Sequence, residues 1–210
     1  MSEQPQVTRS AAAVSGPAAG RVDARRRALP NGVWGMALFL CSEITVFGTM
    51  LGSYFYLNFE AKRWPPDGIK APSVVLPLVA TGLLLFTTVP MWLAVRAGRR
   101  GERGRVLGLI SAATVLQCIY LAGQILLFRH DLRDFSPQGS AYGSIYFTVL
   151  ATHHAHVAFG ILLNLTVLLF ITVRGLNNYW FIGVRGLALY WYVVSGVGIL
   201  VTLTQLSPTL

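Results

Sequence analysis

The chain has 210 residues, 54% of them apolar and only 12% charged, with a mean hydropathy of +0.57 and a formal charge of +9. Such a composition excludes an ordinary soluble domain and points to an integral membrane protein, because long apolar runs recur along most of the length with short basic connections between them. The high pI does not indicate a nucleic-acid partner, since the arginines are scattered between apolar runs and build no face wide enough to track phosphates.

In chain order, residues 1–32, rich in Ala, Gly, Ser and Pro, read as a disordered basic cytoplasmic tail without the apolar segment and small-residue cleavage site of a secretory signal. Residues 33–210 read as one all-α domain, a bundle of five transmembrane helices with spans at about 34–59, 74–95, 106–128, 142–173 and 186–206. The first is long enough to cross roughly 30 Å of hydrocarbon at about 1.5 Å per residue, and Trp64, Pro65 and Pro66 punctuate its end. Pro77 and Pro90 fall near the two ends of the second, where a missing backbone donor is tolerated. The fourth exceeds a perpendicular crossing, which predicts tilt or extension beyond the bilayer. Cys41 and Cys118 lie inside apolar runs and read as small packing residues, with no disulfide framework or redox motif.

Basic residues set the expected orientation. Arg9, Arg21, Arg25, Arg26 and Arg27 precede the first span, Arg96, Arg99, Arg100, Arg103 and Arg105 separate the second from the third, and Arg174 and Arg185 flank the connection before the fifth. Lys62, Arg63, Lys70, Arg129 and Arg133 occupy the alternate connections, giving 12 against 5 and predicting a cytoplasmic N-terminus and an outside C-terminus.

Polar groups inside the spans need a physical reason to be there. Seven of the eight acidic residues fall in the tail or connections, but Glu43 lies roughly 13 Å into the first span. A carboxyl at that depth must face the bundle, be hydrogen-bonded or carry a proton. It is either a neutral acid bonded to a neighbouring helix or a group exchanging protons with a water path. On the fourth span, His153 and His156 are about 60° apart and share a face, whereas His154 points elsewhere. No Cys, Asp or further His stands at matching spacing on that helix, so no metal site is expected; haem would need histidines facing across helices, and the remaining one, His130, reads as a loop residue. Interhelical hydrogen bonding by neutral imidazoles is the reading left. Gln117 and Gln124 share a face of the third span and read as helix-to-helix glue. Ser195, Gly196 and Gly198 favour close approach of a helix, from this chain or a partner. Tyr179, Trp180, Tyr190, Trp191 and Tyr192 read as an interfacial belt.

Three patches, in order, resemble subunit III of the haem-copper respiratory oxidases in its five-helix bacterial form. Gly35-Met36-Ala37-Leu38-Phe39 with Ser42-Glu43 looks like that family's first shared helix and its intramembrane glutamate, and Trp64-Pro65-Pro66 resembles the motif in the following loop. Tyr142-Gly143-Ser144 with Tyr146-Phe147, then His153, His156, Val157 and Gly160, is similar to the family's helix bearing two histidines three apart. The resemblance implies a non-catalytic subunit without a redox centre or cofactor of its own, with haem and copper held by the partner catalytic subunit I. It also implies bound phospholipid, support of proton uptake and stability, further oxidase subunits as partners, and location in a bacterial cytoplasmic membrane. Glu43 matches the family glutamate linked to proton supply, and His153 and His156 match its paired histidines. The chain departs from the pattern on the last helix, where Trp191, Tyr192 and Ser195 stand in place of an ionisable set, and at Gln124, which replaces a glutamate and cannot titrate. From the residues alone, a small transporter or channel is the competing reading, motivated by Glu43, Gln117, Gln124, His153 and His156 sharing one cavity; no internal repeat or broken helix accompanies it.

Overall fold

A computed structural model describes residues 31–66, 69 and 75–206; residues 1–30 of the expected tail, Lys70 and the arginines up to Arg27 lie outside them, while Asn31 and Gly32 open the first helix. The described residues form α1 (Asn31–Glu60), α2 (Val75–Phe86), α3 (Thr88–Arg99), α4 (Arg103–Asp134), α5 (Ala141–Arg174) and α6 (Asn178–Leu206), with no strand among them. The segments α2 and α3 together make one crossing, so five stretches among the described residues are long and apolar enough to span a membrane. The chain is therefore an all-helical, multi-pass membrane protein.

The interruption of the second crossing has a local cause. Proline lacks an N–H, and its ring clashes with the carbonyl four residues earlier, which for Pro90 is Phe86, the last residue of α2. Pro90 therefore lies inside the crossing and marks its break, not its end. Around that break the Thr87 and Thr88 hydroxyls donate to the Leu84 and Leu85 carbonyls at 2.7 and 2.6 Å.

Helix α6 forms the centre, packing on α1, α2, α3 and α5, while α4 lies against α2, α3 and α5. Because lipid tails are as apolar as leucine, helices here are held by close packing and interhelical hydrogen bonds, not by escape from water. One buried cluster gathers Leu84, Met91, Ile110, Val157, Leu187 and Trp191; a second, more aromatic one gathers Phe47, Tyr54, Tyr142, Tyr146 and Phe147. The second is tied together by Trp64, whose indole N–H donates to the Tyr54 hydroxyl at 2.9 Å, and by Tyr54, which donates to the Thr204 carbonyl at 2.7 Å.

The start of α5 explains the Tyr-Gly-Ser motif. Ser140 caps the helix by accepting from the Gly143 N–H at 3.0 Å, and the Ser144 hydroxyl donates to the Pro137 carbonyl at 2.6 Å. A Cβ at Gly143 would lie 2.6 Å from the Ser136 carbonyl oxygen, so the loop folds back only over a glycine.

Two further expectations are corrected. His130, Asp131 and Asp134 belong to the last turns of α4, not to a loop, because that helix continues well past its apolar run. Cys41 and Cys118 are exposed on the outer faces of α1 and α4 instead of packing inside. Their thiols are apolar enough to face lipid.

Candidate functional site

The intramembrane acid meets the fourth crossing. Glu43 Oε2 on α1 lies 2.7 Å from His156 Nε2 on α5, both side chains about four-fifths buried. The other ring nitrogen, Nδ1, lies 2.7 Å from the Thr152 carbonyl oxygen, which can only accept, so Nδ1 carries a hydrogen. This fixes the proton count of the pair. With Nδ1–H committed to Thr152, the short Glu43–Nε2 contact needs one shared proton, either on the carboxyl as a neutral acid or on the imidazole as an ion pair. Both forms carry zero net charge, which is how a carboxyl is tolerated at this depth.

His153 turns to a different helix. Its Nε2 lies 3.2 Å from the Tyr120 hydroxyl of α4, and its ring packs against Gly198 of α6, where an added Cβ would sit 3.3 Å from Nε2. The ring of Phe47, one turn beyond Glu43, stands edge-on to both histidines. Glu43, His153, His156, Phe47 and Tyr190 line a space of about 10 Å³, the lower limit for a single water. His154 turns to Phe128 of α4. Among the described residues no group of three His, Cys, Asp or Glu side chains is placed to hold a metal ion.

The remaining polar positions divide. Gln117 accepts from the Asn164 amide at 2.6 Å; Asn164 also donates to the Thr114 hydroxyl at 2.9 Å and accepts from the Trp191 indole at 2.8 Å, joining α4, α5 and α6 in one buried network. Trp191 is thus fully buried and is not a belt residue, and Tyr190 beside it donates to the His156 carbonyl at 2.7 Å. Gly160 makes room for both rings, since a Cβ there would lie 2.7 Å from each. Gln124 lines a groove between α2 and α4. Ser195 is buried on α6, within a small-residue segment in which Gly198 packs against Leu84 and His153 of this same chain. Ser42 takes no part in the Glu43 pair: its side chain is exposed and donates to the Phe39 carbonyl at 2.6 Å. Asn164 escaped the sequence reading, although a lone amide within the run from Ile161 to Val173 was signal enough.

Comparison with known proteins gives a consistent result. The family model described as cytochrome c oxidase subunit III matches residues 23–205. Cytochrome bo(3) ubiquinol oxidase subunit 3 of Pseudomonas aeruginosa is 28% identical over 70% of this chain and 70% of its own length. Cytochrome c oxidase subunit 3 of Bacillus subtilis is 29% identical over 71% and 72%, and quinol oxidase subunit 3 of Bacillus spizizenii is 30% identical over 69% and 71%.

Proposed function

Because the chain belongs to the cytochrome c oxidase subunit III family, we propose that it is the non-catalytic subunit III of a proton-pumping terminal oxidase complex in a bacterial cytoplasmic membrane. As such it associates with other oxidase subunits, foremost the catalytic subunit I, which would hold the haems and copper. The observation that carries the reading is the match over residues 23–205; the pairing of Glu43 with His156 gives that match a chemical centre.

In this reading the termini are oriented as the arginines predict, with the N-terminus cytoplasmic. Glu43 and His156 hold one proton between α1 and α5 and support proton uptake by the catalytic subunit, while His153 acts as a packing and hydrogen-bonding residue. Bound phospholipid contributes to stability. A small transporter or channel finds little support, because the space beside Glu43 is too small for a permeating solute.

The test is affinity purification of the tagged chain from native membranes in mild detergent, with a reduced-minus-oxidised spectrum, a subunit inventory, and turnover assays offered both reduced cytochrome c and a quinol. A haem signal with a large copper-containing partner is the expected result. A colourless, solitary, folded chain overturns the proposal. Within the complex, Glu43→Gln is expected to leave assembly intact and to change proton uptake or turnover-dependent inactivation; unchanged kinetics in both would remove the proton role.

A further inference from the structure

The turn between α3 and α4 carries Arg96, Arg99, Arg100, Arg103 and Arg105, and the structure separates these arginines by task. Arg103 donates from Nη2 to the Thr172 carbonyl at 2.8 Å and so serves the end of α5. Arg96, Arg100 and Arg105 instead line a pocket of about 320 Å³ with Leu93, Glu102 and Leu109. Arg100 and Arg105 converge on Glu102 at 3.8 and 2.9 Å, and Arg96 is stacked 4.4 Å above the Trp92 ring. Three guanidiniums against one carboxylate leave two positive charges in the pocket. The Arg100 and Arg105 side chains stay about two-thirds exposed, so their donors remain open to a ligand.

The floor decides what kind of anion fits. Leu93 and Leu109 each stand six residues from the end of their helix, roughly 9 Å toward the bilayer interior, and both are exposed or half-buried. A free anion would satisfy the arginines and leave this apolar floor bare. A phosphodiester with an attached glycerol and acyl chain satisfies both: guanidinium forks match phosphate oxygens, and the chain lies along Leu93 and Leu109. We propose that this pocket binds the headgroup of an anionic phospholipid, phosphatidylglycerol or a relative with the same phosphodiester, at the turn between α3 and α4. The inference places the lipid binding of the proposed function at one site, and it rests on the chain lying in a membrane, not on the identity of its partners.

The experiment uses the chain as purified from native membranes with whatever accompanies it, exchanged into phosphatidylcholine nanodiscs containing a few mole per cent phosphatidylglycerol. Retained phosphatidylglycerol is read by native mass spectrometry after ejection. Combined Arg96→Gln, Arg100→Gln and Arg105→Gln is expected to lower retention roughly tenfold or more. The matched charge loss Arg99→Gln, Arg174→Gln and Arg185→Gln, outside the pocket, is expected to leave it unchanged. Glu102→Gln is expected to raise retention, an opposite sign that misfolding cannot imitate. Equal retention in the two triple variants overturns the proposal, as does displacement of the lipid by millimolar inorganic phosphate. Loss of a co-purifying subunit from the pocket variant with lipid retention unchanged assigns the pocket to a protein partner instead. A colourless preparation would sink the oxidase reading while leaving this readout intact.

Discussion

The first and last helices are nearly equal in length, 30 and 29 residues, and both are apolar, yet they are built for opposite surroundings. In the most apolar window of α6, 61% of residues are buried inside the chain; in that of α1, 11% are. Leu40, Phe47 and Tyr54, spaced seven apart, are the buried residues of α1, a seam one side chain wide, while Cys41, Ser42, Thr45, Thr49 and Ser53 face outward. Hydropathy alone does not distinguish the two helices, because lipid and protein interior are equally apolar. What separates them is hydrogen bonding. The Ser and Thr hydroxyls on the outer face of α1 bond back to their own helix, and its cross-helix bonds come from the seam side, at Glu43 and Tyr54, whereas Tyr190 and Trp191 of α6 donate to α5. A helix face whose hydroxyls are satisfied within the helix is a surface ready for lipid or another protein.

That contrast can be broken most severely at Gly160. Its neighbours Trp191 and Tyr190 are pinned by hydrogen bonds and cannot yield, so Gly160→Val should cost more than about 3 kcal/mol in a denaturant titration of the detergent-solubilised chain. Wild-type-like unfolding would show that α5 and α6 are not locked there. Asn164→Leu strands three partners at once, and a loss of about 1–2 kcal/mol is expected by the same titration; no change would mean the network is not held in the membrane. Glu43→Gln sharpens the α1 side. If the shared proton sits on the carboxyl, the amide replaces it as a donor to His156 Nε2, and the cost stays under about 1 kcal/mol. If the pair is ionic, the substitution removes its charge-to-charge attraction, and a loss nearer 3 kcal/mol appears. Least of all, Gly48→Leu and Gly52→Leu, where an added Cβ meets nothing, should shift the isolated chain by no more than about 0.5 kcal/mol. A larger shift would show that this face is already packed.

Five crossings were legible because each apolar run is longer than any buried core helix of similar composition needs to be. Glu43 was legible as a lone acid among apolar neighbours. Its partner was not, since His153 and His156 share a face and their spacing cannot say which helix each will meet. The phase of α5 sends His156 to α1 and His153 to α4. Trp191 misled because aromatic clustering at the start of a crossing looks the same for a belt and for a core. The deciding residues, Gly160 and Asn164, lie on another helix. Likewise Pro90 reads from the sequence as a tolerated residue near the end of its crossing, but the clash falls four residues upstream and so inside the crossing.

The hydrogen bond from Tyr54 to the Thr204 carbonyl spans 150 residues of sequence. At a synthesis rate of about 5–20 residues per second, roughly 8–30 seconds separate the emergence of those two ends from the ribosome. Throughout that interval α1 has entered the bilayer while the helix that receives its latch does not yet exist. Its outward hydroxyls, each satisfied within its own turn, need no partner during that wait, and Glu43 needs only to carry its proton until α5 arrives. The first crossing is thus suited to stand alone during biogenesis, and the last closes the structure behind it.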